Sequence, residues 1–177
     1  MMRPMLAAAA ATIVMAGAAV AQRPDFSGNW KLNTEKSDPP PQMGGGGPGQ
    51  RPGGAGPGGG RGGMMTVSEM FITQLSSRMM IDQKMGERSQ TVSYNLDGTE
   101  SRNPGMMGTE FVTTSTWVDN TIVTKGKNTF KSPMGEVTIE TTEIRSLSED
   151  GKTMTIEMTS ISPRGTLTRK SVYDRSS

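Results

Sequence analysis

Between Phe26 and Asp174 the chain has no segment in which apolar residues recur at helical spacing. It runs instead in short stretches of period-2 alternation separated by turn signals. Such a chain must build sheet. Phe26–Leu32 sets Phe, Gly, Trp and Leu against Ser, Asn and Lys. After a Gly/Pro-rich stretch, Met70–Leu75 and Arg78–Met85 are joined at Ser76-Ser77, and Gln90–Leu96 stops at the hairpin signal Asp97-Gly98. Glu110–Val118 turns at Asp119-Asn120 into Thr121–Lys127. Glu136–Leu147 turns at Glu149-Asp150-Gly151 into Thr153–Ile161, and Pro163-Arg164-Gly165 leads into Thr166–Asp174. Consecutive hairpins without long crossovers predict an all-β, antiparallel up-and-down (meander) β-barrel of about nine to ten strands, closed so that no edge is left exposed. An open sandwich is the alternative.

The N-terminal residues are read apart from this fold. Arg3 supplies a positive start, Leu6 to Val20 an Ala-rich apolar run, and Ala19-Val20-Ala21 a small-x-small site. Together they predict a signal peptide over 1–21, cleaved before Gln22. The run is too short for a membrane span and no Cys follows it, so no stable membrane anchor is expected. The expected destination is the bacterial periplasm or the extracellular space. Residues 22–37 then hold the first strand, 38–63 a Gly/Pro-rich disordered loop, and 64–177 the remainder of the barrel. The loop carries more than half of the chain's 23 Gly and 11 Pro and cannot bury a core. Arg51 and Arg61 suit an RGG-type RNA segment poorly, because no aromatic is interleaved with them. With 19 Lys+Arg against 17 Asp+Glu the formal charge is only +2, so no nucleic acid partner is expected.

The chain has no His and no Cys. That removes zinc clusters, imidazole bases, thiol nucleophiles and disulfides. Glu136, Glu140 and Glu143 are the nearest carboxylate cluster, but alternating Thr and Glu on a strand is ordinarily a solvated face. No enzyme activity, catalytic residue, metal site or cofactor is expected. Methionine is the exception to this chemical silence, with 16 in the chain and pairs at Met64-Met65, Met79-Met80 and Met106-Met107. Thioethers select Cu(I) and scavenge oxidants. Met79 with Ile81, and Met154, Ile156 and Met158, recur at period 2 and read instead as barrel lining. Only Met64, Met65, Met106 and Met107 sit in loop-like context.

Several segments resemble one superfamily. Phe26-Ser27-Gly28-Asn29-Trp30-Lys31-Leu32 resembles the opening strand of the calycins, the lipocalins and fatty-acid-binding proteins, with their Gly-x-Trp signature. Tyr94-Asn95-Leu96-Asp97-Gly98 resembles a mid-chain strand-to-turn segment of the fatty-acid-binding proteins. Ile144-Arg145-Ser146-Leu147, followed by Asp150-Gly151-Lys152, resembles their strand with an inward arginine. Thr168 to Arg175 resembles the last strand, where that family writes Arg-x-Tyr. The chain as a whole is similar to small exported bacterial lipocalin-like proteins that open DFSGxWKLN and close SPRGxxTRxxVYDR. The resemblance implies a lipocalin-like barrel that binds a small hydrophobic or amphipathic ligand. Two departures stand out. Pro and Gly replace the helix pair, so no helical lid is expected. Ser171, not Arg, lies two before Tyr173, and the nearest same-face arginine is Arg169.

Alternation places Leu167, Arg169, Ser171 and Tyr173 on one face of the last strand, and Ile139, Thr141, Glu143 and Arg145 on one face of another. The expected ligand-binding set is Arg145, Arg169, Tyr173, Ile139, Met154, Ile156 and Met158. An inward Arg would grip a carboxylate bidentately. Arg145 could equally pair with Glu143, or Arg169 with a Glu, and satisfy buried charge without a ligand. Trp30 reads as a plug at one barrel end. A filled barrel serving as a structural or interaction module of the cell envelope is the alternative function, and a copper-binding or oxidant-scavenging protein a further one. Protein partners are not legible.

Overall fold

The computed structural model describes residues 23–40, 66–105, 108–132 and 135–176. The expected signal peptide, most of the Gly/Pro-rich segment, and Met64, Met65, Met106 and Met107 lie outside the described residues. Ten strands follow in order: β1 (Gly28–Leu32), β2 (Glu69–Gln74), β3 (Arg78–Met85), β4 (Arg88–Asn95), β5 (Asp97–Pro104), β6 (Glu110–Val118), β7 (Thr121–Ser132), β8 (Gly135–Leu147), β9 (Thr153–Ser162) and β10 (Gly165–Ser176). All paired neighbours are antiparallel, in one sheet of order β4-β3-β2-β1-β10-β9-β8-β7-β6-β5. The sheet curls into a nearly closed antiparallel meander barrel, and the described residues contain no α-helix.

The strand set differs from the sequence reading in two places. β5, Asp97-Gly98-Thr99-Glu100-Ser101-Arg102-Asn103-Pro104, has no apolar residue apart from the exposed terminal Pro104 and gave no alternation to detect, although Ser101 and Asn103 are buried. The Asp97-Gly98 signal consequently marks no ladder-paired hairpin: β4 and β5 are the two ends of the sheet. Gly98, at φ +85°, supplies the left-handed step where β5 begins. β7 also continues past Lys127 to Ser132, through the buried polar Asn128.

One end of the barrel is shut. Trp30 is buried, and its Nε1 donates to Phe26 O at 2.9 Å. Phe26 meets Trp117 with ring centroids 6.1 Å apart. The Arg175 guanidinium lies over the Trp30 ring at 4.4 Å. It donates to Gly151 O at 2.8 Å, Asp25 O at 3.1 Å and Ser27 O, tying the chain before β1 to the last strand. Gly28 is required there, since a Cβ would stand 2.8 Å from Arg175 Nη1 and φ is +126°. After β1, Asn33 Oδ1 accepts from the amides of Glu35 and Lys36, and the chain turns back along β10. Asp38 then exchanges bonds with Lys170, and Ser37 with Val172, which explains why Val172 is buried although it faces outward.

Candidate functional site

Cross-strand register sorts the inward residues of β8, β9 and β10 into rungs. From the Trp30 end upward they are Leu147–Met154–Tyr173, Arg145–Ile156–Ser171 and Glu143–Met158–Arg169. Six of the seven residues expected to bind ligand thus fall on three successive rungs of one wall. Ile139 faces the same way farther along β8, opposite Asn128 of β7. Arg145, Tyr173, Met154 and Ile156 are buried, while Ile139, Met158 and Arg169 are half-buried.

Arg145 dominates the interior. Only 4% exposed, it extends from β8 to β3 and β4, on the opposite side of the strand order. Its guanidinium carbon stands 5.3 Å from the centroid of the Tyr94 ring, and Nη1 is 3.7 Å from Met79 Sδ. Nη2 lies 2.7 Å from Glu143 Oε1, an ion pair in which that oxygen accepts no hydrogen bond. Arg145 Nε is left without an acceptor, and so is the buried Nε of Arg169, whose Nη2 reaches Thr66 Oγ1 at 3.3 Å. Tyr173 Oη donates to Val67 O at 3.1 Å. Burial, the main cause, pushes both phenols up to about 12. Glu143 reinforces the shift at Tyr94 and Tyr173, and Arg145 opposes it at both.

Tyr94 and Met79 belong to this cluster although the sequence did not join them to it. Their strands carried the right signal, Met79/Ile81 and Val92/Tyr94 at period 2, but alternation says nothing about which strand stands opposite which. The polar residues that complete the interior, Ser101, Asn103, Thr113, Ser115, Thr124 and Asn128, gave no signal at all.

Three clefts open on the surface. One, of about 650 Å³, lies over β1–β4 around Phe71; another, of about 690 Å³, over β6–β8; the third, of about 310 Å³, beside Thr66 and Arg88. None of the three is lined by a residue of the expected ligand set. Among the described residues no three His, Cys, Asp or Glu side chains group to hold a metal, and no helix is long and apolar enough to cross a membrane. Met70, Met79 and Met154 are buried in the apolar core.

No family model and no curated protein matches the chain. Among solved structures it is similar to the zebrafish ileal bile acid-binding protein complexed with cholic acid. Identity is 14%, the match covers 61% of this chain and 72% of that one, and the TM-score is 0.46. A likeness so distant carries no argument about a ligand.

Proposed function

We propose that this is an exported, non-catalytic lipocalin-like barrel, akin to the small exported bacterial proteins whose opening and closing motifs it resembles. In this reading it binds an anionic amphiphile, its apolar part among Ile139, Met154, Ile156 and Met158, and its charge toward Arg145, Arg169 and Tyr173. The supporting observation is the pair of buried guanidinium Nε groups without acceptors. A buried donor left unmade costs about 1–3 kcal/mol, and a ligand carboxylate would supply what it lacks. On the mature chain from Gln22, a fatty acid should raise the melting temperature. Arg145→Met should abolish that rise while sparing the response to a neutral alcohol of equal length. If neither amphiphile moves the midpoint, the binding reading fails. N-terminal sequencing of protein from the producing cell checks the export step, which a retained Met1 would refute.

A filled-barrel envelope module is the second reading. One observation favours it: Arg145 already spans the lumen to Met79 and Tyr94 with its charge matched by Glu143. Under that reading Arg145→Met changes stability and no ligand response.

A further inference from the structure

We propose that Met158 is an oxidation site, and that its sulfoxide, formed by a hydroperoxide, accepts the unpaired Nε–H of Arg169 and so weakens the hold on an anionic ligand. The last step rests on the ligand-binding reading above; the modification does not. Met158 faces Arg169 directly across the β9–β10 ladder on the inward side, with Glu143 as its neighbour on β8. Cross-strand partners stand with Cβ atoms about 4.5–5.5 Å apart, within reach of two long side chains. Arg169 Nε is buried without an acceptor, and Nη2 reaches only the Thr66 hydroxyl. No carboxylate pairs with Arg169 among the described residues. A thioether is a weak acceptor, so reduced Met158 leaves that donor unmet.

The other described methionines differ from Met158 in access or in neighbour. Met70, Met79 and Met154 are sealed in the core, whereas Met158 is half-buried although it points inward, so a water-sized molecule can touch it. Hydrogen peroxide is little larger than water. Leu167, one rung farther from Trp30 on the same face, is 41% exposed, so this end of the wall is open to solvent. Met80 is exposed but points away from the lumen, and half-buried Met85 faces Arg88, an exposed arginine that water already serves. In the reaction a sulfur lone pair attacks one peroxide oxygen, and the S–O bond forms as the O–O bond breaks. The proton of the transferred oxygen moves to the departing one, which leaves as water or an alcohol. Sulfur loses two electrons and the peroxide gains them. The sulfoxide oxygen then stands where a ligand carboxylate would accept from Arg169 Nε.

Hydrogen peroxide on the ligand-free chain, followed by peptide mass spectrometry, should oxidise Met158 at least about tenfold faster than Met79 and Met154. Protection of Met158 equal to theirs overturns the site. NMR of the arginine Nε–H groups then reads the contact. Oxidation should slow exchange of the Arg169 Nε–H with water by about tenfold, while peroxide leaves that rate unmoved in Met158→Leu. An unchanged rate in the oxidised wild type, or the same slowing in Met158→Leu, overturns Arg169 as the partner. For the regulation, oxidised wild type should bind a fatty acid about tenfold more weakly than reduced, as the loss of one charged hydrogen bond requires. Met158→Leu should show one affinity before and after peroxide, whatever that affinity is. Equal affinity of the two wild-type forms overturns the regulation. If reduced wild type binds no fatty acid while the Arg169 Nε–H still slows on oxidation, the ligand-binding reading fails and the modification stands.

Discussion

On β2, β3 and β4 the buried inward residues are Met70, Ile72, Met79, Ile81, Val92 and Tyr94; on β5, β6 and β7 they include Ser101, Asn103, Thr113, Ser115, Thr124 and Asn128. The two walls face one lumen and are held in different ways. The apolar wall gains from area removed from water, a term without direction, so its members are exchangeable within the limits of volume. The polar wall must match its groups one by one. Ser115 and Thr124 share a hydrogen bond at 2.7 Å, Asn128 accepts from Thr109 at 3.0 Å, and Ser101 and Asn103 turn sideways to β4. Thr113 Oγ1 alone in that set is buried with no partner. The apolar wall therefore supplies stability, whereas the polar wall supplies geometry, including the seam it leaves unladdered.

The largest effect should come from the apolar side. Trp30→Ala removes the aromatic that meets Phe26's carbonyl and carries Arg175, and should cost about 3–5 kcal/mol by denaturant unfolding. Met154→Ala, buried beside Tyr173, should cost about 2–5 kcal/mol. A loss below about 1 kcal/mol at both positions would break the comparison, because it would mean that the apolar wall does not carry the fold.

That division also governs what could be read from the sequence. The bounds of β3, Arg78–Met85, are legible to the residue, because Met79 and Ile81 alternate with polar neighbours. The inward face of β8, β9 and β10 is legible for the same reason, as Ile139, Met154, Ile156 and Met158 mark its phase. β5 is not legible because its inward side chains are Ser101 and Asn103, and the end of β7 is lost because the buried Asn128 interrupts the alternation before Phe130 resumes it; hydropathy cannot distinguish a buried Asn from a solvated one. Both omissions fall on the polar wall. What stands opposite Arg145 was beyond alternation altogether: Met79 is 66 residues away in the chain and meets Arg145 only once the barrel curls.

The Glu143–Arg145 pair spans the two chemistries and should respond asymmetrically. Arg145 cannot shed its proton, so Glu143→Gln strands a charge that is only 5% exposed and should cost about 3 kcal/mol. Arg145→Met leaves a carboxylate that is 21% exposed and so within reach of water, and its cost should be smaller. Glu143→Leu with Arg145→Met should lie close to wild type, since hydrophobic replacement of a buried pair is often neutral or better. Equal costs for the two single variants would refute the asymmetry.

Tyr94 and Tyr173 predict an alkaline limit. Their folded-state values near 12 exceed the ordinary 10, so the folded protein holds the phenolic proton more tightly than the unfolded chain does. The resulting stability is complete below pH 10 and is lost as pH rises toward 12, on the order of 2 kcal/mol for each tyrosine. Melting temperatures should fall across that window, and Tyr94→Phe should flatten the fall by about half. An unchanged profile in Tyr94→Phe would place the alkaline transition elsewhere.

The smallest effects belong to the polar wall, and their signs are more informative than their sizes. Ser115→Ala leaves Thr124 Oγ1 without its partner and should cost about 1–2 kcal/mol, and Thr124→Val should do the same to Ser115. The double variant removes both hydroxyls and should recover part of that loss, giving a coupling of about 1 kcal/mol. Thr113→Val removes the buried hydroxyl of a residue that is 1% exposed, one with no hydrogen-bond partner among the described residues, while keeping nearly the same shape. Matched bonds make the first two changes harmful, and the missing bond should make the third neutral or stabilising, by up to about 1 kcal/mol. If Thr113→Val instead destabilises as much as Ser115→Ala, the Thr113 hydroxyl has a partner in solution. A water held inside the lumen would be the simplest one, and the polar wall would then face a wet interior, with the apolar wall opposite it still dry.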